Sequence, residues 1–144
     1  MNDSDADLAR LLRLSARSME RSMMRAASRA GLEMLRPSHL TVLRVLDPGT
    51  EGARAGDMAR DADVSRQAIQ QIVIDLESLG IVESVPDSSD GRARLVRYTA
   101  FGRRGYKRCM REFGRIEADL EAEIGARAMR GLKRTLLRIA ETES

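Results

Sequence analysis

Residues 55–97 read AGDMARDADVSRQAIQQIVIDLESLGIVESVPDSSDGRARLVR, and this stretch decides the fold. A short helix is predicted over 55–62, and a tight turn follows it. Ser65 stands where the N-cap of a second helix belongs, because its hydroxyl can accept a hydrogen bond from an otherwise unpaired amide. Apolar residues then recur at three- and four-residue steps over 66–79, and Gly80 is a typical helix stop. The pattern is therefore helix, turn, helix.

A β-hairpin is predicted directly after this unit. Residues 81–85 form a short β-branched run, 86–91 are turn-forming residues, and 94–98 offer a second strand. Ala53 and Arg54 could add a brief strand against the hairpin. A helix-turn-helix followed by a hairpin is a winged helix-turn-helix, whose usual work is to read duplex DNA.

One side of the second helix carries the side chains that could read bases. Gln67, Gln70 and Ile74 centre this side, and Arg66 and Gln71 flank it. Glutamine can pair with adenine through two hydrogen bonds in the major groove, and an exposed isoleucine can contact a thymine methyl group. We therefore expect direct base readout. The alternative is that these glutamines are ordinary solvated helix positions.

Positive charge is concentrated on the hairpin and on the helix that follows it. The chain has 144 residues, a net charge of +3 and a pI near 9.6, which is compatible with nucleic-acid binding but does not establish it. Eight basic residues lie between positions 86 and 111, against only Asp87 and Asp90, which predicts phosphate contacts and salt-dependent binding unless this is simply a solvated basic face. The basic residues are Arg92, Arg94, Arg97, Arg103, Arg104, Lys107, Arg108 and Arg111.

Composition excludes several other classes of protein. The single cysteine, Cys109, rules out an internal disulfide and suits a reducing cytosol. No apolar run approaches the roughly 20 residues of a membrane span, and no signal peptide precedes the first helix, so a cytoplasmic protein is expected. With one histidine and one cysteine, and no nucleophile–base pair, carboxylate pair or phosphate-binding glycine loop, we expect neither an enzyme nor a metal or cofactor site.

Long helices flank the winged unit on both sides. The first runs from Leu8 to about Ala30, another follows a predicted N-cap at Thr99, and Gly125 separates that helix from a last one. Each carries a narrow apolar stripe that cannot be wholly hidden against the winged unit. We therefore predict a mainly α protein with a small β-hairpin wing, in which the terminal helices form the interface of a homodimer.

The expected domain organisation follows from these elements. Residues 1–34 are the N-terminal dimerisation helix, 35–98 the winged DNA-binding lobe, and 99–144 the C-terminal dimerisation helices. A row of arginines on the first helix faces away from its apolar stripe, and we expect it to meet water or acidic residues of another helix, with DNA contact as the alternative. The row consists of Arg10, Arg13, Arg17, Arg21, Arg25 and Arg29.

Taken in order, these motifs resemble the MarR family of bacterial transcriptional regulators along nearly the whole chain. Residues 35–43 (LRPSHLTVL) resemble the second-helix pattern of that family, in which a Gln commonly occupies the place of His39. Residues 59–82 resemble its LAxxLxVSxxxVTxxVxxLExxGLV core. Asp90-Gly91-Arg92 resembles the DxR of the wing, and residues 98–102 (YTAFG) resemble its LTxxG.

The resemblance implies a triangular dimer with a helical interface and two winged DNA-binding lobes. It further implies repression of a palindromic operator, relieved by a small ligand or by oxidation. Asp90 and Arg92 would fix the shape of the wing, which would leave Arg94 freer to enter the minor groove. A protein-binding winged-helix module without DNA binding is the alternative function. The residues that match DNA-contacting positions of the family are Ser65, Gln67, Gln70, Gln71, Arg92 and Arg94.

The effector crevice of the family lies between the dimer helices and the winged lobe. His39 matches a position at its border, and it could bind an aromatic carboxylate or phenol with Arg13 or Arg17 as the counter-charge. The alternative is a capping or surface histidine. Redox sensing through Cys109 is less favoured, because buried cysteines on an apolar helix seam are usually inert.

Overall fold

The computed structural model describes residues 7–142, and within them it contains six α-helices, one 3₁₀ turn and one β-hairpin. The predicted fold class, mainly α with a small hairpin wing, is confirmed. None of the helices in this part of the chain combines the length and the apolar character that crossing a membrane would require. The elements are α1 (Leu8–Arg29), the 3₁₀ turn (Pro37–His39), α2 (Leu40–Val45), α3 (Ala55–Ala62), α4 (Arg66–Ser78), β1 (Val82–Asp87), β2 (Asp90–Tyr98), α5 (Ala100–Ile124) and α6 (Ala126–Glu141).

The predicted helix caps are found where the sequence places them. Ser65 Oγ accepts a hydrogen bond from the amide of Ala68 at 3.1 Å, and Thr99 Oγ1 accepts one from the amide of Gly102 at 3.0 Å. Each hydroxyl pairs an amide that has no partner within the first turn of its helix. Gly80 ends the recognition helix α4 with a φ of +71°, a left-handed conformation that glycine adopts without strain.

The hairpin is longer than predicted, and its turn is shorter. Residues 86–91 were expected to be turn, but β1 extends to Asp87 and β2 begins at Asp90, so that only two residues connect the strands. The Asp87 carboxylate accepts hydrogen bonds from the Ser89 amide at 3.0 Å and from the Ser89 hydroxyl at 2.8 Å. These bonds close the chain reversal locally, which leaves the flanking residues free to pair as strands.

The predicted brief strand beside the hairpin is confirmed as an isolated bridge. The amide of Ala53 donates to the carbonyl of Val96 at 2.9 Å, and the amide of Val96 donates to the carbonyl of Ala53 at 2.8 Å. The bridge fixes the chain just before α3 against β2. The wing is therefore joined to the helix-turn-helix unit by main-chain hydrogen bonds.

The C-terminal end of α1 packs on α5, whereas its N-terminal half is exposed. Arg108 Nε donates to the carbonyl of Ala30 at 2.9 Å, and Arg29 forms a 3.3 Å ion pair with Glu112, the interhelical contact expected for the arginine row. The other five arginines of that row are exposed. Large apolar side chains of α1 and α6 are also exposed within residues 7–142. They are Leu8, Leu11, Leu14, Met19, Leu132, Leu136, Leu137 and Ile139.

Candidate nucleic-acid interface and ligand cavity

Five of the predicted DNA-contacting side chains line one open cleft of about 570 Å³ between the recognition helix and the wing. Three come from α4 and two from β2, because the hairpin folds back beside the helix that precedes it. Ile74 is apolar but 57% exposed. The five residues are Arg66, Gln70, Ile74, Arg92 and Arg94.

The remaining predicted contacts of α4 lie outside this cleft. Gln67 and Gln71 are exposed on the same helix but do not line the cleft. The side-chain Nε2 of Gln71 donates a hydrogen bond to Asp75 Oδ1 at 3.4 Å. The hydroxyl of Ser65 is exposed, and it already accepts the capping hydrogen bond.

An ion pair that the sequence did not reveal fixes the wing to the start of α3. Arg54 donates to Asp87 Oδ2 through Nε at 3.0 Å and through Nη2 at 2.6 Å, and its Nη2 lies 4.0 Å from Asp90 Oδ2. Hydrogen bonds from Ser89, together with Arg54, lower the pKa of Asp87 to about 2. The only sequence signal was the Asp-Ser-Ser turn pattern at 87–89, and nothing there identified Arg54 as the partner.

In the wing, Asp90 and Arg92 are joined through the main chain, and Arg94 is less free than expected. Asp90 Oδ1 accepts a hydrogen bond from the backbone amide of Arg92 at 3.1 Å, so Asp90 shapes the wing through the main chain and not through a side-chain pair. Arg94 was expected to be the freer arginine, but its Nη2 donates to the carbonyl of Ser84 at 2.7 Å. Within residues 7–142 the guanidinium of Arg92 has neither a hydrogen bond nor an ion pair.

Three of the basic residues predicted to contact phosphate form hydrogen bonds or ion pairs within the chain. Arg97 pairs with Glu83 at 2.9 Å, and Arg103 donates to the carbonyl of Tyr98 at 2.8 Å. Arg108 holds α1, as described above. In the described part of the chain, the basic side chains of this group that make no hydrogen bond or ion pair are Arg92, Arg104, Lys107 and Arg111.

A separate cavity of about 250 Å³ lies between α1, α2 and α5. Its walls are apolar and include Met23, Leu43 and Phe113, while Tyr98 at the end of β2 lies beneath it. Within residues 7–142, the only charged residue that lines this cavity is Arg44. Its Nη2 lies 3.7 Å from the sulfur of Met23. The cavity can therefore accept an apolar body with a single anionic group near Arg44.

Solved structures match the chain over almost its whole length. The Mycobacterium tuberculosis MarR family protein Rv2887, in complex with salicylic acid, is 29% identical, with a TM-score of 0.68 over 94% of this chain and 97% of that one. CouR from Rhodococcus jostii RHA1, bound to p-coumaroyl-CoA, is 25% identical, with a TM-score of 0.77 over 95% and 93%. The chain has the winged-helix fold of the MarR family. The resemblance seen in the sequence motifs is thereby confirmed.

A third match extends the comparison of the MarR-family fold. The transcriptional repressor CouR bound to a 23-mer DNA duplex has a TM-score of 0.78 at 19% identity, over 93% of this chain and 92% of that one, and this likeness is one of fold alone. No protein-family model matches the chain. No curated protein matches it either. The neighbours whose names state a role are transcriptional regulators.

Within this MarR-family fold the residues predicted to bind an effector do not line the cavity. His39 is 1% exposed, and its Nδ1 accepts a hydrogen bond from the amide of Arg36 at 3.0 Å, which is the capping arrangement considered as the alternative. Arg13 and Arg17 are exposed on α1. No local pattern pointed to Arg44, which reaches the cavity because α2 lies beside Met23 of α1.

Cys109 lies in the cavity wall and not on the surface. Cys109 is 6% exposed, and this burial raises the pKa of its thiol. A buried thiol with a raised pKa is largely un-ionised at neutral pH and is therefore a poor nucleophile. This placement supports the interpretation of Cys109 as a packing residue.

Proposed function

We propose that this chain is a homodimeric, sequence-specific DNA-binding transcriptional regulator, a repressor of a palindromic operator from which a small ligand releases it. The observation that carries the proposal is the cleft in which α4 and the wing meet. It combines an amide side chain suited to adenine (Gln70), an exposed apolar side chain suited to a thymine methyl group (Ile74), and arginines suited to phosphate. CouR, which shares the fold, is bound to a DNA duplex in one of its structures.

The exposed apolar side chains of α1 and α6 support the homodimer. Leu8 is 61% exposed and Leu137 is 59% exposed, and neither helix has another element of residues 7–142 that covers these positions. Joining two copies through these helices would bury the stripes. Two-fold symmetry would then present two recognition helices to half-sites about one DNA turn apart.

The cavity supports release by a ligand. It borders Tyr98, whose hydroxyl donates to the carbonyl of Leu43 at 3.1 Å and so joins the end of the wing to α2. A ligand that moved either residue would shift the wing relative to the recognition helix. Rv2887 binds salicylic acid and CouR binds p-coumaroyl-CoA, so aromatic acids are reasonable first probes for this chain.

Selection of DNA from a random duplex pool tests the proposal. The purified chain is expected to retain sequences that share an inverted repeat with half-sites about 10 base pairs apart. Added salicylate or p-coumarate is expected to release part of the retained DNA. Recovery of the pool without enrichment, and without retention even at low salt, would favour the protein-binding module instead.

Gln70→Ala is expected to weaken binding to the selected operator by about 1–3 kcal/mol while leaving non-specific binding nearly unchanged. The reason is that Gln70 lines the cleft and carries no charge. The check is a pair of titrations, one with the operator and one with a scrambled duplex. Gln67→Ala provides the comparison, because Gln67 is an exposed glutamine of the same helix that does not line the cleft, and an equal loss on the operator would place both glutamines on the reading side. An equal loss on both duplexes would remove Gln70 from the base readers.

Arg92→Ala is expected to weaken binding to every duplex and to reduce the slope of log affinity against log salt by about one, since one phosphate contact is lost. Arg94→Ala should change the slope less, because the Arg94 guanidinium already donates to the carbonyl of Ser84. Affinities measured over a series of salt concentrations decide between them. A larger slope change for Arg94→Ala would mean that Arg94 leaves the strand to contact DNA.

A further inference from the structure

His39 is buried between the start of α2 and the recognition helix, and one of its ring nitrogens has no hydrogen-bond partner within residues 7–142. Nδ1 accepts the amide hydrogen of Arg36, whereas Nε2 makes no hydrogen bond within residues 7–142. Since Nδ1 acts as an acceptor, the ring is neutral and its proton is on Nε2. Nε2 faces Asp75 Oδ2 of α4 at 3.8 Å, too far for a hydrogen bond.

Asp75 lies on α4 between His39 and Gln71, a predicted DNA contact of that helix that lies outside the cleft. Its Oδ2 accepts a hydrogen bond from Arg36 Nη2 at 2.8 Å, and its Oδ1 accepts the weaker one from Gln71. Arg36 and Asp75 are thus the charged groups that face the imidazole, one from the segment before the 3₁₀ turn and one from α4. Their ion pair joins the segment before α2 to the C-terminal half of the recognition helix.

A proton added to His39 disrupts this arrangement for a geometric reason. The new proton must go to Nδ1, which would then be a donor pointing at the amide donor of Arg36. The capping hydrogen bond would be lost, and an imidazolium would stand beside the guanidinium of Arg36 around a single carboxylate, that of Asp75. The ring would have to leave its place, although it is 1% exposed.

We propose that His39 and Asp75 are positioning residues for the recognition helix, and that protonation of His39 releases this helix from α2 and weakens DNA binding. The positioning role is a property of the folded chain and does not depend on DNA binding. The effect on DNA binding rests on the proposed function. The effect of acid on DNA binding is therefore indirect, because His39 does not line the cleft between α4 and the wing.

The pKa of His39 has the direction that this role requires. Burial and the charge of Arg36 lower the pKa of His39 below its ordinary value of about 6.5, and Asp75 opposes them. The unfolded chain therefore takes up this proton at higher pH than the folded chain does. The contribution of neutral His39 to stability is complete above about pH 6.5 and is lost as the pH falls from there to the pKa of the folded state.

Because the chain contains one histidine, NMR titration of the imidazole reports on His39 alone. The full-length protein is expected to show a midpoint below about 6.5, and Asp75→Asn should lower it further by removing the opposing charge. A midpoint at or above 6.5 in the folded protein would overturn the proposal. So would an Asp75→Asn midpoint equal to that of the wild type.

His39→Gln provides the matched control, because a glutamine Oε1 can accept the Arg36 amide hydrogen but cannot titrate. Between about pH 7.5 and about pH 5.5, the folding equilibrium of the wild type is expected to weaken relative to that of His39→Gln, by at most about tenfold per pH unit. Urea unfolding at each pH measures this difference. Parallel pH profiles would show that His39 does not carry the proton linkage.

The DNA arm of the test measures the dissociation constants of the wild type and of His39→Gln for the selected operator. From about pH 7.5 down to about one pH unit below the NMR midpoint of the folded protein, the ratio of wild-type to His39→Gln dissociation constants is expected to rise, by no more than about tenfold per pH unit for each protomer. A constant ratio would overturn the release of the recognition helix. If neither protein bound any duplex, the proposed function and the DNA arm would both be wrong. The NMR and unfolding arms would still decide whether His39 holds α2 to α4.

Discussion

Gly102→Ala is expected to destabilise the fold by about 3 kcal/mol, at the upper end of the cost of overpacking a core. A Cβ at position 102 would lie 2.9 Å from the carbonyl carbon of Ile81 and 3.2 Å from its Cα, with the carbonyl oxygen closer still. All three are backbone atoms that cannot move aside by changing a rotamer. The same carbonyl accepts the amide hydrogen of Thr99 at 3.0 Å, so moving it would disturb the start of α5.

Gly114→Ala is the matched control on the same helix. A Cβ there meets nothing within 4 Å, so the alanine should stabilise the protein by about 0.5–1 kcal/mol through its higher helix propensity. Urea unfolding of both variants against the wild type measures the two free energies. Equal stabilities for the two variants would mean that α5 does not pack on Ile81 as closely as described.

The elements of the fold were predictable because their signals are local. The apolar periodicity of α4, the hydroxyl caps at Ser65 and Thr99, and the stops at Gly80 and Gly125 all act within a few residues of themselves. Each needs only its own helix to be satisfied. For this reason the bounds of α1, α3 and α4 in the structure lie within one residue of those predicted.

The length of the hairpin was not predictable, because distant contacts set it. Pro86 and the polar residues after it read as a loop, yet Asp87 is 7% exposed and belongs to β1. Its ion pair with Arg54 joins positions that are 33 residues apart. Sequence reasoning placed Arg54 beside the hairpin but had no means of knowing which carboxylate it would meet.

In the candidate site, too, the parts set by local sequence patterns were predictable and the parts set by long-range packing were not. The cleft was largely predictable, since Gln70 and Ile74 follow from the helical period and Arg92 from the resemblance of the wing. The cavity was not, because Arg44 and Tyr98 meet only after three helices and the hairpin have packed. For His39 the resemblance offered an effector contact with capping as the alternative, and the hydrogen bond to its Nδ1 supports capping.

Leu76→Ala is expected to cost about 2–5 kcal/mol of stability, the usual range for removing a large aliphatic side chain from a core. Leu76 is 0% exposed and lies on the buried side of α4 with Ile69 and Val73. The truncation leaves a cavity that rigid neighbours cannot fill. Urea unfolding measures the loss, and a change below about 1 kcal/mol would contradict the packing of this side against the rest of the lobe.

Ile74→Ala, two positions earlier on the same helix, should have the opposite profile. Because Ile74 is 57% exposed, its truncation should change stability by no more than about 0.5 kcal/mol. If its side chain contacts a thymine methyl group, the same truncation weakens binding to the selected operator while folding is unaffected. The two variants together determine how α4 is rotated about its axis. A helix turned by half a revolution would exchange their effects, and no reading face built on Gln70 and Ile74 could then exist.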